Sequence, residues 1–240
     1  MNREKPQYQE LSELFADREA FYRLMSSLFF KEVSEELIGT LEGLPAPVDD
    51  GSLFAQGWRE LKFYLARKGP DARTDLAVDY ARAFLAAGVL EGTAACPFES
   101  IYTGEEPLIM QEARDDVRAL FISQGVNVDE ALHLPEDHLS FELEFLAIMS
   151  DRAVEACAQE DEATLVQNIT LQHTFLRDHI LNWLPLLEEN LIAVARQKFY
   201  PAVLRITEGY AQLDEELLAD LLKEFDASDE ASDDAHPHEK

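Results

Sequence analysis

The sequence predicts an all-α fold on three observations. Apolar residues recur at i, i+3, i+4 and i+7 through most of the chain, no stretch alternates with period two over the length of a strand, and valine and isoleucine are sparse. No internal repeat of the kind that builds a solenoid is present. With 240 residues, 47% of them apolar, the chain can bury a sizeable core, and nothing in it forces a second domain. The expectation is a single compact domain of about nine helices over 11–225. A flexible stretch over 1–10 precedes it, and an acidic, apolar-poor tail over 226–240, read as disordered, follows it.

The first helix has Leu11, Leu14, Phe15, Phe21, Leu24, Met25, Leu28 and Phe29 as its buried stripe, with Asp17, Arg18 and Glu19 on the other face. Ser34 caps a short second helix whose first turn carries Glu35 and Glu36, and Gly43 with Pro45 stops it. Asp49, Asp50, Gly51 and Ser52 form a turn. A third helix buries Phe54, Trp58, Leu61 and Leu65 and ends at Gly69-Pro70. Asp71 or Thr74 opens a fourth, on which Leu76, Tyr80, Ala83, Phe84 and Ala87 share a face, with Gly88 beyond its end.

The stretch 89–106 has neither period and is as long as loops in compact domains become, a length associated with function or with disorder. Its Pro97, Phe98, Ile101 and Tyr102 are too apolar for disorder, so it is expected to pack on the body. Pro107 starts a fifth helix running through Met110, Val117, Leu120 and Phe121, with Gly125 at the C′ position. The link 126–134 joins two large helical halves and could serve as a hinge for domain swapping.

In the run LPEDHLSFELEFL, Pro135 reads as the first residue of a long sixth helix, which places Glu136, Asp137 and His138 in its opening turn. The unpaired N–H groups and the positive end of the helix dipole there favour ionised carboxylates. Leu139, Leu143, Leu146, Met149 and Val154 follow at helical spacing. A seventh helix, from about Glu162, carries Leu165, Ile169, Gln172, Phe175 and Leu176, and Pro185 kinks or breaks it near Trp183. Two more amphipathic segments surround Phe199-Tyr200-Pro201 and end in Leu213, Leu217, Leu221 and Leu222.

The charge balance narrows the function. Against 20 basic residues stand 48 acidic ones, a formal net charge of -28. The segment 226–240 accounts for -5 of this, which leaves -23 on the first 225 residues. Such a field repels phosphate backbones and anionic lipid and attracts cationic partners, although acidity can also serve solubility alone. Cys96 and Cys157 lie far apart and outside any CxxC pattern, as suits a reducing compartment. With neither an apolar leader nor a long apolar run, the expected location is cytoplasmic.

The motifs of common catalytic chemistry are missing. A di-iron bundle needs two Glu-x-x-His pairs, and the chain has one, Glu130 to His133. His138 and Glu142, four apart, supply two ligands and no complete metal site. Phosphate-binding glycine loops, a GxSxG elbow and HExxH are absent. Cys96, before Pro97, reads as structural rather than nucleophilic. No cofactor, metal or catalysed reaction is expected.

What remains is an asymmetry between loop and helix. Tyr80, Phe84, Pro97, Phe98 and Tyr102 supply apolar surface, and Glu99, Glu136 and Asp137 supply negative charge. An apolar floor with an acidic rim suits a peptide whose basic residues precede a hydrophobic run, since carboxylates pair bidentately with guanidinium. The same aromatics could equally be core.

Several stretches resemble the TorD/DmsD-type redox-enzyme maturation chaperones. They are AFYRLMSSLFF (20–30), LAVDYARAFL (76–85), CPFESIY (96–102), LPEDH (134–138) with LSFELEFL after it, FLRDHILNWLPLL (175–187) and KFYPAVL (198–204). LPEDH, similar to a Pro-x-Asp-His signature, is the most specific. Two departures stand out: Leu134 and His133 occupy places where relatives often carry an acid, and Phe98 and Tyr102 stand where tryptophan can occur.

The resemblance implies an all-helical cytoplasmic chaperone that binds the twin-arginine signal peptide and the apo form of a molybdopterin oxidoreductase subunit, aids cofactor insertion and delays export. It implies that Asp137 with Glu136 receives the arginines and that His138 holds local geometry or confers pH sensitivity. Tyr80, Phe84, Pro97, Phe98 and Tyr102, with Glu99 beside them, would line the rest of a peptide-binding site. The chain would be a monomer or a domain-swapped dimer. The alternatives are a NarJ-like assembly chaperone for a non-exported reductase subunit and a metal or redox enzyme built on His138, Glu142 and Cys96.

Overall fold

A computed structural model describes residues 5–87 and 94–234, with backbone alone for 5, 6 and 228–234. Gly88, the stretch 89–93 and the two chain ends, 1–4 and 235–240, lie outside the described residues. The described chain is all-α, with ten α-helices where about nine were expected. They are α1 (Lys5–Phe30), α2 (Glu35–Gly43), α3 (Leu53–Leu65), α4 (Ala72–Phe84), α5 (Glu99–Thr103), α6 (Glu112–Ser123), α7 (Leu139–Ala158), α8 (Glu162–Phe175), α9 (Leu184–Val194) and α10 (Phe199–Asp234). A 3₁₀ turn, Glu130–Leu132, lies between α6 and α7, and a π turn, Leu176–Ile180, continues α8.

The longest helices build the core. α1 lies along α7, α7 packs on α8, α8 on α10, and α10 on α3 and α9. Phe15, Tyr22, Phe29, Phe145, Phe175, Trp183 and Tyr200 are fully enclosed among them. α3 and α10 meet backbone to backbone at two glycines. A Cβ on Gly57 would come within 2.7 Å of the Ile206 nitrogen, and one on Gly209 within 2.2 Å of the Phe54 nitrogen. Among the described residues, no helix is long and apolar enough to cross a membrane.

Several local readings hold. Ser34 Oγ accepts the Leu37 N–H at 3.1 Å, capping α2, and Lys62 of α3 donates to the carbonyls of Leu41, Glu42 and Leu44 at that helix's other end. Ser52, read as part of a turn, goes further and caps α3 through the Ala55 N–H. Gly125 follows α6 at φ +66°, the left-handed conformation of a C′ residue. Pro185 sits in the first turn of α9, directly after the expected break.

Other readings are corrected. Arg18 is not on a solvated face. Fully buried, it bonds Asp214 of α10 at 2.6 and 2.8 Å, Gln172 of α8 at 2.7 Å and Ser150 of α7 at 3.3 Å, so one guanidinium ties four helices. The fifth helix does not start at Pro107. Met110 takes φ +62°, and the Gln111 amide donates to the carbonyls of Glu106 and Leu108, so helix begins only at Glu112. Pro201 does not divide the last segments, because as the third residue of α10 it lies in the turn where an N–H has no helical partner. α1 begins at Lys5, inside 1–10, and Tyr8 is buried. The backbone of α10 continues past 226 to Asp234.

Candidate functional site

The long loop and the segment before α7 are joined by a short antiparallel pairing of Phe98 with His138. The Leu139 N–H reaches the Pro97 carbonyl at 2.9 Å, and the Glu99 N–H reaches the Asp137 carbonyl at 3.0 Å. This pairing holds 135–138 out of helix, so α7 starts at Leu139 and not at Pro135. The first-turn placement of Glu136, Asp137 and His138 is therefore corrected. His138 is the N-cap instead, its Nδ1 accepting the Ser140 N–H at 3.2 Å and facing Ser140 Oγ at 2.7 Å.

Asp137 is fully buried and acts on the other strand of the pairing. One carboxylate oxygen accepts both the backbone N–H of Ser100, at 2.9 Å, and its hydroxyl. It thus caps α5, whose own N-cap residue, Phe98, has no oxygen to offer. Burial raises the Asp137 pKa, while the Ser100 bonds oppose the rise. The His138 ring, edge-on to Phe98 at 4.9 Å, is buried and pushed down to about 4 by desolvation. His138 is accordingly a neutral helix cap near neutral pH, which supports the local-geometry role and removes a physiological pH switch at this residue.

Glu136 is half-buried and already paired, with Arg114 at 2.6 Å and Arg118 at 3.1 Å, both on α6. Tyr80 and Phe84 lie in the core. The Tyr80 hydroxyl donates to the Phe29 carbonyl at 2.9 Å, and Phe84 packs edge-on against both Tyr80 and Tyr200 at 5.2 Å. Pro97 is buried and Phe98 half-buried. Tyr102 is half-buried, stacked on Trp183 at 5.4 Å. The structure thus brings Phe98, Glu99, Tyr102, Asp137 and His138 together around α5, and sets Tyr80 and Phe84 apart in the interior.

Sequence reading missed the open feature beside this framework. A groove of about 670 Å³ runs between α5, α6 and the π turn, with Glu99, Glu105, Glu112, Asp116, Asp178 and His179 in its wall. Glu99 is its floor. It is only 2% exposed, and its two oxygens face His179 Nδ1 at 3.1 Å and Asn182 Nδ2 at 3.3 Å. The π turn makes this possible, because its wider coil brings both partners towards α5. The spacing of Glu112 and Asp116, four apart on one helix, was a local signal, but Glu105 and Asp178 come from distant segments.

On the other side of α5 a pocket of about 330 Å³ is lined by Cys96, Ile101, Tyr102, Pro107 and Asn190. The loop between Glu105 and Glu112 exposes Leu108 (56%), Ile109 (48%) and Met110 (60%), an apolar shelf next to the groove in sequence. Cys96 and Cys157 are both free thiols, and burial raises Cys96 above the ordinary thiol value, away from a reactive thiolate. Among the described residues, no three His, Cys, Asp or Glu side chains are grouped to hold a metal ion.

The described body is all-helical, with an acidic groove next to exposed apolar residues. The model of the family "Nitrate reductase delta subunit" matches residues 50–189. Chaperone protein TorD of Vibrio cholerae serotype O1 is 32% identical over 227 residues, covering 90% of this chain and 98% of the relative. Those of Vibrio parahaemolyticus serotype O3:K6 and Photobacterium profundum are 29% and 27% identical, each covering 86% of this chain and 96% of the relative. The chain belongs to the nitrate reductase delta subunit family, within its TorD group of redox-enzyme maturation chaperones, which are not enzymes.

Proposed function

We propose that this chain is a cytoplasmic chaperone that binds the twin-arginine signal peptide and the apo form of a molybdopterin oxidoreductase catalytic subunit, assisting cofactor insertion and delaying export. The observation that carries the reading is the groove itself: five carboxylates, Glu99, Glu105, Glu112, Asp116 and Asp178, stand beside the exposed Leu108, Ile109 and Met110. That order of charge and apolar surface complements a segment in which arginines precede a hydrophobic run.

In this reading Glu99 and the acidic wall receive the guanidinium groups. Tyr102 and the shelf take the apolar run, and Pro97, Phe98, Asp137 and His138 hold α5 in position. Glu136 serves through its ion pairs with Arg114 and Arg118, while Tyr80 and Phe84 support the site from the core. The relatives named as TorD chaperones match over nearly their whole length, which supports the chaperone reading. The family's description names a reductase subunit, and a second reading, an assembly chaperone for a non-exported reductase subunit, is separated from the first by identifying the subunit that co-purifies with the chain. The chain is either a monomer or a dimer swapped through the link 126–134 in this reading, which size-exclusion chromatography at two concentrations tests.

Titration calorimetry with a synthetic twin-arginine peptide tests the site. The expected outcome is binding that weakens as salt is raised and falls about tenfold or more in an Asp116→Lys, Glu112→Lys double variant, since charge-assisted hydrogen bonds contribute about 1.5–3 kcal/mol each. Equal affinity for a twin-lysine peptide contradicts guanidinium recognition.

A further inference from the structure

Beneath the groove's floor lies an acid that the peptide reading does not use. Glu142 of α7 is fully enclosed, and neither of its carboxyl oxygens makes a hydrogen bond of ordinary length. It faces Glu99 of α5, Asp137 of the segment before α7 and the Trp183 indole. Asp137 Oδ1, also enclosed, has no hydrogen-bond partner among the described residues. The cations and polar groups on the elements packed against α7 are committed elsewhere. His179 of the π turn bonds Glu99, Arg23 of α1 pairs with Glu19 and Glu144, and Ser26 of α1 donates to the Ser140 carbonyl. His138, at the start of α7, is bonded to Ser140.

Three carboxyl groups in one enclosed region cannot all be ionised, because desolvation and like charges both favour a neutral acid. Glu99 has His179 and Asn182 to stabilise its charge, and Asp137 has Ser100. Glu142 has no such support and is the one that holds the proton, its pKa lying well above the ordinary carboxyl value through burial first and the two carboxylates second.

We propose that Glu142 is the groove's proton exchanger: it is a neutral acid while the groove is empty and ionises when a guanidinium settles against Glu99, so that capture of a basic segment releases a proton. This rests on the peptide reading above. The proton leaves the Glu142 carboxyl for solvent, where the buffer takes it up. No bond between heavy atoms changes. Affinity then rises with pH, by up to about tenfold per pH unit while one proton is released.

The test is calorimetry on the full chain with a peptide of two adjacent arginines and an apolar run, at one pH in phosphate and in Tris, whose ionisation heats differ. The expected result is a buffer-dependent heat equivalent to about one proton released per peptide. It is absent in Glu142→Gln, which binds with an affinity that no longer rises with pH. Equal heats in the two buffers, or release that persists in Glu142→Gln, overturns the inference. Because a buried substitution can unfold the chain, the infrared difference spectrum of the wild type supplies a second readout. Loss of a neutral carboxylic-acid band on peptide addition supports the proposal, and an unchanged band overturns it. A peptide that fails to bind at all overturns the peptide reading and this inference with it.

Discussion

Replacing His138 with asparagine separates its structural work from its titration. Asparagine is among the best N-caps, and its Oδ1 can take the Ser140 N–H that the His138 Nδ1 accepts now. What the variant lacks is a base that must stay neutral in the fold. Burial lowers the His138 pKa from 6.5 to about 4. A depressed pKa gives a stability contribution that is fully present above the unfolded value and is lost as pH falls towards the folded one. The window therefore runs from about 6.5 down to about 4, and at about 1.4 kcal/mol per unit the whole term is about 3 kcal/mol.

Between about pH 7.5 and about pH 5 the wild type should lose about 2 kcal/mol relative to His138→Asn. Asp137 and Glu142, with raised pKa values, act in the opposite direction and would distort the wild-type curve taken alone. They are common to both proteins, so the difference isolates His138. Urea unfolding followed by circular dichroism at a series of pH values measures it. Two stability curves that run parallel across this window refute the claim that a neutral, desolvated imidazole caps α7.

The raised acid at Glu142 predicts the opposite trend. Its contribution is intact below the ordinary carboxyl value of 4.5 and is lost as pH rises from there towards the raised folded value, so wild type should lose stability with rising pH faster than Glu142→Gln in the same urea series. Arg18→Met leaves Asp214 charged and enclosed, which should reduce stability by about 3–5 kcal/mol; an unchanged urea midpoint contradicts the four-helix tie. Gly209→Ala drives a Cβ into the backbone of Phe54, and thermal melting should show a loss of about 1–3 kcal/mol where helix propensity alone would give a gain. Asp137→Ala uncaps α5, so hydrogen exchange should speed up at 99–103 before it changes in α7; uniform exchange across both elements argues against the capping role.

The elements legible in the sequence were those whose cause is local. The apolar stripes of α1, α3, α7 and α8, the Ser34 cap, the Gly125 C′ position and the break at Pro185 each depend on residues within a turn or two of one another. The start of α7 was not legible, because what holds 135–138 out of helix is Pro97 and Glu99, nearly forty residues upstream. Arg18 looked like a surface charge since its partners, Ser150, Gln172 and Asp214, come from three other helices. The candidate site divided in the same way. LPEDH and CPFESIY, each matched separately, do meet, but as the frame of α5 more than as an open surface. The acidic wall assembles from Glu105, Glu112, Asp116 and Asp178, which share no short motif.

The π turn after α8 gives the groove a dependence on chain length. The Leu181 N–H reaches the Leu176 carbonyl at 2.8 Å, one residue further back than an α-helix would bond. One residue is thus accommodated in excess of the α repeat, and everything after it is rotated by about 100° relative to an uninterrupted helix. Deleting a single residue there would leave Glu99, His179 and Asn182 unchanged in identity and still swing the latter two away from the carboxylate they contact. In this protein an insertion or deletion in a well-packed turn can alter the groove's floor as decisively as any substitution within it.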